Sequence, residues 1–426
     1  MVLLLLPLLL NLLSLAVSAS VVKVHRMCHV VPVGKGGDDG PSILSAFNQC
    51  GQNGKIVLDQ YYSVNTVLNT TGLNNVHIEL SGVLQDTPDI AYWSPNSIFL
   101  TYQNAEQHYS WTTLLLIISS SLMLRFPQYG GGTIDGNGQV WYDGLTTGGS
   151  TGVAGGSSTT FARPVPLTVF NSKNVLITNI TYLNSPFWNN FVYQSQYVEY
   201  SWITMSSHSY SKNFASNTDG WDIYRSDHIT IHDCEINNGD DCVSFKPNTT
   251  NAWVYNMVCN GSHGISVGSL GQYAGETDIV ANVLVNNITM LNAQNGARIK
   301  VFGGNPSPNS MAGGGTGYVK NITYSNFYVN NTDFPITTNQ CYSTPAATCE
   351  AYPSKLTISD VHYINVTGMS SGAENATVVT LECSEPCTDF TATGTHLVPP
   401  AKFGSPVYLC ANITNTGALD FSCTAP

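Results

Sequence analysis

One short pattern recurs along the chain: NVLITNITYLN from Asn174, DHITIHDCEIN from Asp227, DIVANVLVNNITMLN from Asp278, YVKNITYSNFYVNN from Tyr318 and KLTISDVHYINVTG from Lys355. Each unit alternates Val or Ile with polar residues and closes on Asn or Gly. Alternation at period two with β-branched residues predicts strands, and the Asn, Gly, Ser and Asp between them predict turns. Short strands recurring every 20 to 50 or so residues suit a solenoid, in which no single coil buries its own apolar face and each stacks on the last. The expected fold is all-β, a single-domain right-handed parallel β-helix. Rows of asparagine at the turns would ladder between coils, amide to amide. A β-sandwich is the competing architecture, but it predicts tighter hairpins than this spacing offers. Helical periodicity of useful length is confined to PSILSAFNQC at 41–50, placed to cap one end.

The repeats overturn the two or three domains that 426 residues would suggest by length. Residues 1–19 read as an apolar secretory leader ending in V-S-A, so the catalytic domain is expected to span 20–426, outside the cell. The chain's 11 cysteines fit that oxidising compartment, and the expected pairs are Cys28 with Cys50, Cys242 with Cys259, Cys341 with Cys349, Cys383 with Cys387 and Cys410 with Cys423. Cys234 is left over, in an apolar alternation that reads as a buried thiol. N-x-S/T sequons from Asn69 to Asn412 also fit an extracellular glycoprotein. With 15 Lys+Arg against 27 Asp+Glu, nucleic acid and anionic membranes are not expected partners. One stretch breaks the pattern. TTLLLIISSSLMLRFPQ at 112–128 lacks the Asn/Gly punctuation, and its apolar core is too short to cross a bilayer. It reads as translated intron or a wrong splice choice.

Four blocks stand apart from the strands: NTDGWD at 217–222, GDD at 239–241, GSHG at 261–264 and RIK at 298–300. Each alone has a plain structural reading, as turn, loop or solvated strand face. Together they say more. Asp240 follows Asp219 by 21 residues and His263 follows Asp240 by 23, so a solenoid of about that period sets the three near one column. Arg298 and Lys300, two apart on a strand, share a face. For Asp240 and Asp241 to act together the chain must bend between them, which Gly239 would permit. A carboxylic acid to protonate a leaving oxygen and carboxylates to activate water are the apparatus of glycoside hydrolysis, and local cations suit a negatively charged sugar. No zinc-ligand spacing is present, and no metal or cofactor is expected.

With these residues in view, the chain resembles the polygalacturonases of glycoside hydrolase family 28, whose signature blocks NTDG, DD, HG and RIK occur here in order. The resemblance implies an inverting hydrolase of pectic homogalacturonan, acting as a monomer. It implies Asp240 as general acid, Asp219 and Asp241 as the water-activating pair, and His263 as the group tuning the acid. It assigns Arg298 and Lys300 to the galacturonate carboxylate, with Asn217 and Tyr342 as further substrate contacts. The longer blocks NTDGWDIYRSD, CVSFKPNTTN and GISVGSLGQY look most like fungal exo-polygalacturonases, which release galacturonate from the non-reducing end. Xylogalacturonan hydrolase and endo-polygalacturonase are the enzyme alternatives. A carbohydrate-binding β-helix is the non-enzyme alternative, and a calcium-dependent lyase a further rival. Exo action needs something to close the cleft, and the segments 305–317 and 335–348 are the candidates. Trp188, Trp221 and Tyr224 are candidates for stacking on sugar rings, and Lys246 and Arg225 for adding charge to the cleft.

Overall fold

The computed structural model describes residues 20–106, 131–147 and 163–426. The leader at 1–19 and the anomalous stretch at 112–128 lie outside the described residues. Among the described residues, strands stack coil on coil with parallel pairing, most of them in one continuous arrangement of 24 strands and four in a smaller N-terminal sheet, where Ser20–Val24 and Met27–Val31 pair antiparallel. The expected parallel β-helix is therefore what the chain forms.

Interior columns show why the alternation works. Ile177, Tyr200, Ile231, Val254, Val285, Tyr324 and Tyr363 are register partners through seven successive coils, and all are buried. Each coil leaves one apolar row open and the next coil closes it, so hydrophobic burial drives the stacking. Cys234 belongs to such a column, above Met257, Ile288, Phe327 and Val366, and burial pushes its thiol up to about 12. The five expected disulfides are all formed.

Asparagines turn the corners. Asn251, Asn282 and Asn321 all have φ between 52° and 58°, where most residues are strained and Asn is tolerated. Their amides ladder from coil to coil, Asn321 donating to Asn282 and Asn282 to Asn251, each at 2.9 Å. A second ladder runs from Asn331 through Asn292 to Asn260. The helix Gly40–Cys50 turns Ile43, Ala46, Phe47 and Cys50 onto the first coils and so closes the N-terminal end.

One sheet positions the site. Its strands include Asn190–Tyr193, Trp221–Tyr224, Val243–Phe245, Ile265–Leu270, Asn295–Phe302 and Phe334–Tyr342. Trp221, Val243, Ile265, Ala297 and Ile336 stack as one inward row. The neighbouring row, Phe191, Asp222, Ser244, Ser266, Arg298 and Thr337, faces the other way because successive strand residues alternate. Two expectations change here. The segment 335–348 is mostly strand, Phe334–Tyr342, rather than a loop, because its Ile336, Thr337 and Thr338 continue the ladder. Trp221 is fully buried, edge-on to Tyr200 at 5.7 Å, so it is core and meets no sugar.

Candidate active site

The candidate residues sit at the turns that feed these strands. Asp219 precedes the strand Trp221–Tyr224, the pair Asp240 and Asp241 precedes Val243–Phe245, and His263 precedes Ile265–Leu270. Backbone bonds lock the turns together: Gly220 N–H donates to the Asp241 carbonyl at 2.9 Å and His263 N–H to the Asp240 carbonyl at 2.8 Å. The expected column is thus formed. Gly239 serves it by closeness rather than by an unusual dihedral, since a Cβ there would stand 2.3 Å from the Ala215 carbonyl oxygen. The bend turns the Asp241 N–H back onto Asp240 Oδ1 at 2.8 Å, so neighbouring acids face one centre.

Asp219, Asp240 and Asp241 each bring a carboxylate oxygen within 4.8 Å of the others. Their surroundings differ sharply. Asp241 is fully buried; its Oδ1 accepts from the Ser266 hydroxyl at 2.7 Å and lies 3.6 Å from Arg298, and its Oδ2 meets Lys300 Nζ at 2.6 Å. Asp219 is 3 % exposed, and its Oδ1 has no hydrogen-bond partner among the described residues. Asp240 is the most open, with 17 % of its side chain exposed and Oδ1 at 3.2 Å from His263 Nδ1. Its Oδ2 accepts from Asn217 Nδ2 at 3.2 Å.

These environments separate the protonation of the acids. Burial, then the charges of Asp222 and Asp240, push Asp219 well above its ordinary value, which favours its neutral form. Burial pushes Asp240 up as well, but the His263 hydrogen bond and charge, with Lys300 and the Asp241 amide, outweigh it and hold Asp240 low. Three close acids thereby avoid carrying three full charges. The cluster is tight enough to share a cation, yet Lys300 and Arg298 already supply positive charge to Asp241.

Asn217, Asp219, Asp240, Asp241, His263, Arg298, Lys300 and Tyr342 come together in this network, whereas Arg225 lies over the Tyr224 ring, 5.0 Å from its centroid, and Trp221 is core. Arg298 and Lys300 converge on Asp241, and both lie over the Tyr342 ring, at 5.5 and 5.7 Å from its centroid. Three further participants carried no signal strong enough to find. Arg163 is 2 % exposed, donates to Asn217 Oδ1 at 2.8 Å and to the carbonyls of Pro186 and Ser216, and lies 4.5 Å over the Phe187 ring. A lone Arg in FARPVP has no motif around it. Burial brings its guanidinium down to about 10, while Asp219 and Asp240 favour the charged form. Ser266 is one serine among many. Asp222, fully buried beneath Asp219, pairs with Lys246 at 2.8 Å, and burial pushes it up to about 7 against the pull of that lysine. Its place closing the NTDGWD block, on the outward row, was the available clue.

The arrangement has close relatives. The profile of the glycosyl hydrolases family 28 matches residues 69–423. A probable exopolygalacturonase X of Aspergillus fumigatus is 44% identical over 93% of this chain and 89% of its own length. An exopolygalacturonase X of Aspergillus niger is 44% identical over 94% of this chain and 88% of its own. Among solved structures, an endo-xylogalacturonan hydrolase from Aspergillus tubingensis superposes with a TM-score of 0.79 at 28% identity, covering 94% of this chain and 99% of that one. A family match over residues 69–423, which spans the acid turns and the strand that carries Arg298 and Lys300, joined to relatives alike along nine-tenths of the chain, places this protein in glycosyl hydrolases family 28.

Proposed function

We propose that the protein is a secreted, monomeric exo-polygalacturonase that releases galacturonate from the non-reducing end of α-1,4-polygalacturonic acid, with residues 20–426 as one catalytic domain. The observation that carries this reading is the set of three carboxylates within 4.8 Å of one another, bordered by Arg298 and Lys300. Cations set beside acids suit a substrate that brings its own carboxylates. The named relatives are exopolygalacturonases, which supports action from the chain end.

In this mechanism Asp240 is the general acid, because it alone of the three has an exposed side chain that can meet a leaving glycosidic oxygen. His263, on Oδ1, shares a proton with it. The pair gives one proton to the leaving oxygen, and the attacking water gives one to the carboxylates opposite, so protons balance over the reaction. Asp219 and Asp241 orient and deprotonate the attacking water, and Asp219 must ionise to do so. The 4.8 Å spacing is shorter than the roughly 6.5–9.5 Å common between acid and base in inverting sites. Inversion is nonetheless favoured, since a retaining enzyme needs a second carboxylate open to the anomeric carbon, and Asp219 and Asp241 are both buried. Arg298, Lys300 and Tyr342 grip a galacturonate ring, and Asn217 orients Asp240.

The test is the product profile on polygalacturonic acid at early conversion, with the anomer of the new end read by NMR. Galacturonate monomer from the outset, released as the inverted anomer, supports the reading. An oligomer ladder makes the enzyme endo-acting, and the retained anomer overturns the mechanism. The likeness to the A. tubingensis enzyme supports a second reading, hydrolysis of xylose-branched galacturonan. Faster turnover of the branched polymer than of the bare one would favour it.

A further inference from the structure

Outside the network described above, the outer face of the same sheet carries a continuous aromatic floor. Phe170, Tyr193 and Tyr224 stack across three coils, with centroids 5.0 and 5.3 Å apart and rings within 18° of parallel. Phe191 lies beside Tyr193 at 5.6 Å, and Trp188 beside Phe191 at 5.4 Å. None of these rings belongs to the core; all are half-buried. At the edge nearest the acids, Lys246 Nζ stands 5.3 Å over the Trp188 ring, with 20 % of its side chain exposed.

The placement relative to the acids is informative. Trp188, Phe191 and Asp222 come from coils on the N-terminal side of the Asp240 turn, whereas Arg298, Lys300 and Tyr342 come from coils on its C-terminal side. Lys246, just after the strand Val243–Phe245 that the Asp240 turn feeds, lies over Trp188 and pairs with buried Asp222 of the N-terminal side, as Lys300 lies over Tyr342 and pairs with buried Asp241. Galacturonan carries one carboxylate on every ring, so cleaving the bond between two rings offers two carboxylates to hold, one on either side of the scissile oxygen.

We propose that Lys246, seated over Trp188, binds the carboxylate of the galacturonate ring across the scissile bond from the ring held by Arg298 and Lys300. The adjoining Phe191 supports Trp188 as the platform beneath that ring. The inference rests on the exo-polygalacturonase reading. A flat aromatic face matches the apolar C–H face of a pyranose, and the lysine matches its carboxylate. The bland alternative is that Lys246 only neutralises buried Asp222. The two differ in what a substrate ester does.

The experiment measures kcat/KM on digalacturonate and on its two monomethyl esters, one esterified on each ring, for wild type, Lys246→Gln and Arg298→Gln. Wild type is expected to lose roughly 10- to 100-fold on either ester, the scale of a hydrogen bond to a charged group. Lys246→Gln is expected to abolish the penalty for one ester alone, and Arg298→Gln that for the other. Both penalties persisting in Lys246→Gln would overturn the proposal while leaving the exo reading intact. Wild type that cuts long chains to an oligomer ladder and leaves digalacturonate intact would overturn the two together. Should Lys246→Gln not fold, Trp188→Leu carries the test: a KM for digalacturonate raised about tenfold with kcat little changed supports the platform, and an unchanged KM overturns it.

Discussion

His263 Nδ1 lies 3.2 Å from Asp240 Oδ1, while the other oxygen of the same carboxylate takes a hydrogen bond from Asn217. One acid is therefore addressed from two coils, on one side by an imidazole nitrogen and on the other by an amide that fixes its plane. Asp219 is pushed well above its ordinary value, while Asp240, paired with His263, is held low. Hydrolysis by the proposed route reverses that assignment, with Asp240 giving a proton and Asp219 ionised. The rate should therefore respond to small changes in this electrostatic balance.

Asp240→Asn is expected to retain substrate binding and lose turnover by about 10²–10⁴-fold, the usual contribution of a general acid. Single-turnover kinetics and binding to polygalacturonate check it; turnover within a few-fold of wild type would remove Asp240 from that role. His263→Ala should cost less and should move the high-pH limb of the rate profile, because the acid loses its proton partner.

Asp222→Asn should shift the low-pH limb of kcat/KM to lower pH. The sign follows from the neighbours of Asp219: burial comes first among the causes that raise it, and the charge of Asp222 raises it further. Removing that charge, and leaving Lys246 without its partner, both favour ionised Asp219 at lower pH. A limb that stays in place or moves up contradicts the assignment of Asp219 as base.

Asp219 also predicts the pH dependence of stability. Its carboxyl is raised in the folded state, so the folded protein binds its proton more tightly than the unfolded chain does. The associated stability is fully present below about pH 4, the ordinary Asp range, and is lost as pH climbs from there toward the raised value. Thermal melts of Asp219→Asn should thus gain on wild type as pH rises from 4 to 7, at the expense of activity. Parallel melting curves across that range would refute the shift.

Arg163→Met should cost about 3–5 kcal/mol of stability, because it leaves Asn217 Oδ1 and the carbonyls of Pro186 and Ser216 without their donor. In whatever fraction folds, Asn217 would be free to flip and kcat should fall more than KM rises. Urea unfolding and steady-state kinetics at acid pH read the two effects separately.

Chelation separates hydrolysis from calcium-dependent cleavage. Lys300 and Arg298 already compensate Asp241, so activity on polygalacturonate should survive EDTA and yield saturated products. Loss of activity with EDTA and recovery with Ca²⁺ would place a cation among Asp219, Asp240 and Asp241 instead.

Much of this protein was legible from residue order alone. Alternation at period two is a local property of a strand, so the strands near Asn174, Asp227, Asp278, Tyr318 and Lys355 could be read directly, as could the laddering asparagines. The acids, His263 and the two cations were legible because each sits in a distinctive block and recurs at about one coil's length. Contacts between coils were not, since ladder partners are separated by 23, 31 or 39 residues according to the loops between them. No local pattern encodes which residues those loops bring together. Only the tertiary structure joined Arg163 to Asn217, set Lys246 on both Asp222 and Trp188, and turned Trp221 inward while its neighbour Asp222 turned outward. It also set the three aspartates apart, because burial and the charges of neighbouring coils differ at each: Asp219 is pushed up, Asp240 is held low and Asp241 is anchored by Lys300.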